Sequence, residues 1–130
     1  MTDHNKNAAT SFLKLASTGE VDEAYSKFVG EGFKHHNAFF EGSPESLMTG
    51  MEENARQNPD KLGEVKHAIA EADFVVVHSH VQQKPGEPDE ALLHIFRFGN
   101  GRIAELWDLA KPVWGNLDRI QVAISNENLK

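Results

Sequence analysis

Asp73-Phe74-Val75-Val76-Val77-His78-Ser79-His80-Val81 is the stretch that most restricts how this chain can fold. It alternates. A strand turns successive side chains to opposite faces, so His78 and His80 point the same way, about 7 Å apart along the chain. Val75, Val77 and Val81 take one face, and Phe74, Val76, His78 and His80 take the other. Two imidazoles on one strand face are costly to bury for packing alone. The run therefore predicts a polar pocket cut into a β-sheet, to which a carboxylate on a nearby strand can contribute. The plain alternative is a half-exposed sheet with both histidines facing water.

The chain before this run has a different period. Ala8, Phe12, Leu15 and Ala16 recur at helical spacing, with Gly19 as a stop. A second short helix starts near Asp22, buries Ala24, Tyr25 and Phe28, and ends at Gly30 and Gly32. Phe33 to Phe40 reads as extended or irregular. Ser43-Pro44-Glu45 starts a third helix, since Ser43 can cap free amides and Pro44 suits the first turn. Asn58-Pro59 ends it. After Lys61 the pattern becomes β, with strands over Gly63 to Ala70, Phe74 to Gln82, Ala91 to Phe98 and Arg102 to Ala110. Val122 and Ile124 suit a short edge strand or a packed tail.

The turn at Gly99-Asn100-Gly101 decides which residues share a face. A two-residue turn and a three-residue loop with Gly101 left-handed in a bulge both fit. We expect the bulged loop. It pairs Phe98 with Arg102 and puts Phe96, Ala104, Leu106 and Asp108 on the face of His94. The two-residue turn would put Asp108 on the opposite face.

Helices followed by a meander predict an α+β fold in one domain, residues 1–130, with a curved antiparallel sheet wrapped around the amino-terminal helices. The formal net charge of −7 argues against a nucleic-acid partner, which needs a clustered basic surface. No stretch approaches the roughly 18 apolar residues of a membrane span, and the polar amino terminus lacks a secretory signal core. With no cysteine, thiol catalysis and thiolate metal sites are excluded, and a cytoplasmic location is expected.

The ordered set of these features resembles a known family. It comprises the helical start, His36-Asn37, the capped helix at Ser43, the Asp73-to-His78 strand, and Ile95-Phe96-Arg97 leading to Gly101-Arg102-Ile103-Ala104-Glu105-Leu106-Trp107-Asp108. Together they resemble the SnoaL-like polyketide cyclases of the nuclear transport factor 2-like superfamily, especially the subset described as aldol-condensation enzymes. The resemblance runs from about Phe12 to Pro112. It implies an α+β cone or barrel with a highly curved sheet, dimeric through the sheet's outer face. It also implies that Asp108 matches the family's base, and that His36, His78 and His80 match pocket-lining positions. Leu106 stands where relatives often carry histidine, and His94 where they often carry aspartate, so the polar lining is rearranged.

Such a pocket can remove a proton next to a carbonyl, which takes a base and a donor for the enolate oxygen. We expect Asp108 as base, with His78 and His80 as catalytic partners. His36, His94, Trp107, Phe96 and Leu106 would contact a small-molecule substrate. The chemistry calls for no metal and no organic cofactor. Each residue also has a plainer role. Asp108 can accept hydrogen bonds from Arg97 or a loop, His94 can be a core histidine, His36 can cap a turn, and Trp107 can pack or join a dimer. His35 is expected to be exposed, and Arg97 and Glu105 to form a cross-strand pair. Two other functions fit: a binding domain without catalysis, and a metal site built from His78, His80, His94 and Asp108.

Overall fold

The helical period becomes α1 (Thr2–Ser17), α2 (Val21–Phe28) and α3 (Pro44–Gln57). The alternating half becomes β2 (Leu62–Glu71), β3 (Phe74–Gln82), β4 (Glu90–Gly99) and β5 (Arg102–Pro112), as expected within a residue or two. A fifth strand, β1 (Val29–His36), stands between α2 and α3. The computed structural model describes residues 2–36 and 44–112. Asn37, the Ser43 cap and the Val122–Ile124 segment lie outside the described residues.

The glycines expected to end α2 lie inside β1 instead. The helix stops at Phe28, and Gly32 takes a left-handed φ of +74° that a side chain would resist. This distortion lets β1 run parallel to β5, with His35 beside Leu106 and His36 beside Trp107. The sheet order is β1-β5-β4-β3-β2, so four antiparallel strands gain one parallel edge. With β1 and β2 at opposite edges, the sheet is mixed and, among the described residues, does not close into a barrel.

One face of the sheet is covered by the helices. Phe12 of α1 is fully buried and meets Phe96 edge-on at 6.0 Å and Tyr25 of α2 at 5.5 Å. Val75 and Val77 of β3, Ile103 and Leu106 of β5, and Leu47 of α3 complete this core. Each such side chain contributes about 1.5–3 kcal/mol by leaving water. This face is the inner one below; the other is the outer one.

Two bulges set the faces. Asn100 and Gly101 both have positive φ, +54° and +77°, the signature of a two-residue type I′ turn. Gly99 therefore pairs with Arg102, and Phe98 with Ile103, which corrects the expected Phe98–Arg102 pair. Arg97 then pairs with Glu105, leaving Ala104 as an extra residue. The bulge comes three residues after the turn and restores the parity, so His94 still pairs with Asp108. A second extra residue, Lys66, separates the pairs Val65–Ser79 and His67–His78 in β2 and β3.

Candidate functional site

Directly paired residues share a face of the sheet, so the strand register assigns every candidate a side. His94 pairs with both Asp108 and Val77, and Val77 is a core residue. His94 and Asp108 are therefore on the inner face with Phe96 and Leu106, and the last two are buried in the core. His78 pairs with Leu93 and His80 with Ala91, one step out of phase, and both histidines lie on the outer face. His36 and Trp107 are paired with each other on that outer face as well.

The expected convergence of His78, His80, His94 and Asp108 is therefore corrected: the sheet stands between the two halves. Neither a pocket nor a single metal ion can use all four. The cause is the alternation itself, because Val75 and Val77 win the inner face of β3 and send His78 and His80 outward. His36, expected at the cavity rim, is also outside. Its Nε2 lies 2.6 Å from a Glu105 oxygen, and its ring stacks on Trp107 at 5.0 Å. Arg97 Nε donates to the other Glu105 oxygen at 3.0 Å, so the expected Arg97–Glu105 pair forms. The His36 contact, foremost, and the Arg97 contact hold the Glu105 carboxyl below its ordinary range.

Two inner polar groups were not singled out in the sequence. His35 is buried rather than exposed, because it shares the phase of buried Phe33 along β1. Its Nε2 meets the Ser46 hydroxyl of α3 at 3.3 Å. Tyr25 is the other. Its ring packs edge-on against Phe33 at 5.8 Å, and its hydroxyl is buried with no hydrogen-bond partner among the described residues. Burial pushes the Tyr25 pKa well up, and the negative charges of Asp108 and Glu45 raise it further. Both residues had a signal in the sequence: Phe33-x-His35 alternates, and Tyr25 lies on the apolar side of its helix.

The inner set is thus Tyr25 from α2, His35 from β1, His94 from β4 and Asp108 from β5. Burial pushes the His94 pKa down to about 4, against the opposing pull of Asp108. His94 is therefore a neutral imidazole near pH 7, and its Nδ1 is buried without a hydrogen-bond partner among the described residues. Buried polar atoms left unpaired are uncommon in folded proteins and mark places where a ligand or water can be received. A hydroxyl, a neutral imidazole and a carboxylate on one lined face can donate to an oxygen and accept a proton. On the outer side, a shallow depression of about 340 Å³ is lined by His78, Leu93, Leu109 and Lys111, among others. It includes none of the inner polar groups.

No protein-family model and no curated protein sequence matches the chain. Solved structures do. AclR from Streptomyces galilaeus, a candidate hydroxylase, superimposes with a TM-score of 0.73 at 21% identity, over 85% of this chain and 81% of AclR. A SnoaL-like protein of unknown function from Burkholderia thailandensis matches with a TM-score of 0.70 at 16% identity, covering 85% and 98%. A candidate polyketide cyclase from Bacillus cereus matches with a TM-score of 0.69 at 21% identity, covering 80% and 72%. Cystatin-fold and candidate ketosteroid isomerase structures match as well. The α+β fold of this chain is therefore shared with SnoaL-like, candidate polyketide cyclase and cystatin-fold structures, and it agrees with the fold that the resemblance in the sequence implies.

Proposed function

We propose that the inner face is the active site of a lyase- or isomerase-like enzyme that removes a proton next to the carbonyl of a small substrate. The observation that carries this reading is the pairing of Asp108 with His94 on the buried face, within electrostatic reach of the Tyr25 hydroxyl. The Asp108 carboxylate accepts the proton from the α-carbon. The C–H electrons form a carbon–carbon double bond, and the carbonyl π electrons move to oxygen. Tyr25 donates its O–H to that oxygen, and its raised pKa keeps the proton in place at neutral pH. Neutral His94 acts as a second donor through whichever ring nitrogen carries its proton. The enolate then attacks a second carbonyl, whose oxygen takes the proton back from Asp108 to give an aldol product, or it takes that proton back at another carbon. Candidate cyclase and isomerase structures on the same fold are compatible with either ending.

The test is deuterium exchange at the α-carbon of β-diketones and β-keto esters, followed by proton NMR in D2O. Exchange is expected with the wild-type protein, and Asp108→Asn is expected to slow it at least about 100-fold. Unchanged exchange in a folded Asp108→Asn variant removes Asp108 from the chemistry. Ligand uptake by the wild-type protein with no exchange replaces the enzyme by a binding domain.

A further inference from the structure

The histidines excluded from the inner face have a partner that the sequence did not reveal. The extra residue Lys66 advances β2 by one position, and this turns His67 to the outer face directly opposite His78. Without the bulge, His67 would fall in phase with the buried Val77. Bulges are a recurrent means of re-aiming one side chain. As a result the two Nδ1 atoms stand 3.1 Å apart, within hydrogen-bond distance, and the two ring planes are 11° from parallel. Two imidazole nitrogens on one tetrahedral ion at 2.0–2.1 Å are separated by about 3.3 Å.

We propose that His67 and His78 are the preformed half of a divalent transition-metal site on the outer face, of the zinc or nickel class. His80 is the third ligand. It projects on the same face of β3, its ring 5.3 Å from that of His78. Among the described residues no three such side chains already surround one point, so His80 must turn about its side-chain bonds to reach the ion. Glu64 pairs with His80 across the strands, and its carboxylate lies 3.0 Å from the Lys66 ammonium, offsetting the positive charge nearest the site. Imidazole donors without thiolates suit zinc, nickel and copper ions better than magnesium or calcium. The site is separate from the proposed active site, because the sheet lies between them.

Titration calorimetry of the untagged, chelator-treated full chain with Zn2+ and with Ni2+ tests this. Saturable binding of no more than one ion per chain is expected. His67→Ala and His78→Ala should each weaken it more than about tenfold, while His4→Ala, on α1, should leave it unchanged. Circular dichroism confirms that the variants are folded. In a second readout, Ni2+ should broaden the His67 and His78 ring resonances before those of His35 and His94. Absence of saturable binding, or equal affinity in wild type and both variants, overturns the proposal. Broadening centred on other histidines overturns it as well.

Discussion

His94 shows at the level of one residue what the buried face costs. Its folded pKa of about 4 lies below the ordinary 6.5, so the unfolded chain takes up a proton first as the pH falls. The contribution of neutral His94 to stability is complete above about pH 6.5 and is lost as the pH falls from there through about 4. Denaturant midpoints measured from pH 7.5 to 4.5 should fall for the wild type, and fall less for His94→Gln. An equal fall in both would place the titration elsewhere. Glu105 works in the same direction, in a lower pH window. Its depressed value gives stability that is present above the ordinary carboxylate range and lost as the pH drops through its lowered pKa. The two effects therefore occupy separate windows. Phe12 carries the core in the same way that His94 carries the site. Fully buried between Phe96 and Tyr25, it should cost about 3–5 kcal/mol when changed to alanine, read by chemical denaturation.

At the scale of an element, the two bulges do the selecting. A strand without its extra residue sends every later side chain to the other face. Deleting Ala104 should move Asp108 away from His94 and abolish α-proton exchange. It should also destabilise the chain more than Gly101→Ala, which forces a side chain into a φ of +77° at a cost of about 1–2 kcal/mol. Comparing the two unfolding midpoints tests this ranking. Most element boundaries were legible, because helical and alternating periods are local. Both bulges were harder to see. Asn100-Gly101 announces a hairpin in the sequence, but an extra residue at Ala104 or Lys66 leaves no local mark. The expected face of Asp108 was right although the expected turn was wrong, since the bulge appeared later in the strand. The first half of β1 was missed because its glycines read as helix stops, although Phe33 to His36 read as extended or irregular, and its hydrogen-bonding partner lies about seventy residues away.

For the whole molecule, the outer face stands out. Ile69 and Leu109 are 62% and 63% exposed, and the rings of Phe74 and Trp107 lie 6.4 Å apart on the same face. We propose, from the dimer that the resemblance in the sequence implies, that a second copy of this chain covers this face. Light scattering after size exclusion should give a dimer for the wild type and a monomer for Leu109→Glu, with circular dichroism unchanged. A monomeric wild type would refute the expectation. Among the described residues no helix is long and apolar enough to cross a membrane.

Period and order along the chain were sufficient to determine a helical half, a β half, the α+β class and the superfamily resemblance. They also marked Asp108 and His94 as candidates. Only the folded sheet decided that His78 and His80 stand apart from them, that Tyr25 and His35 join them, and that His67 meets His78. The physical reason is parity. Which side of a sheet a residue faces depends on every extra residue inserted between it and its partner strand. That count is fixed by long-range pairing and core packing, which no local stretch of sequence contains.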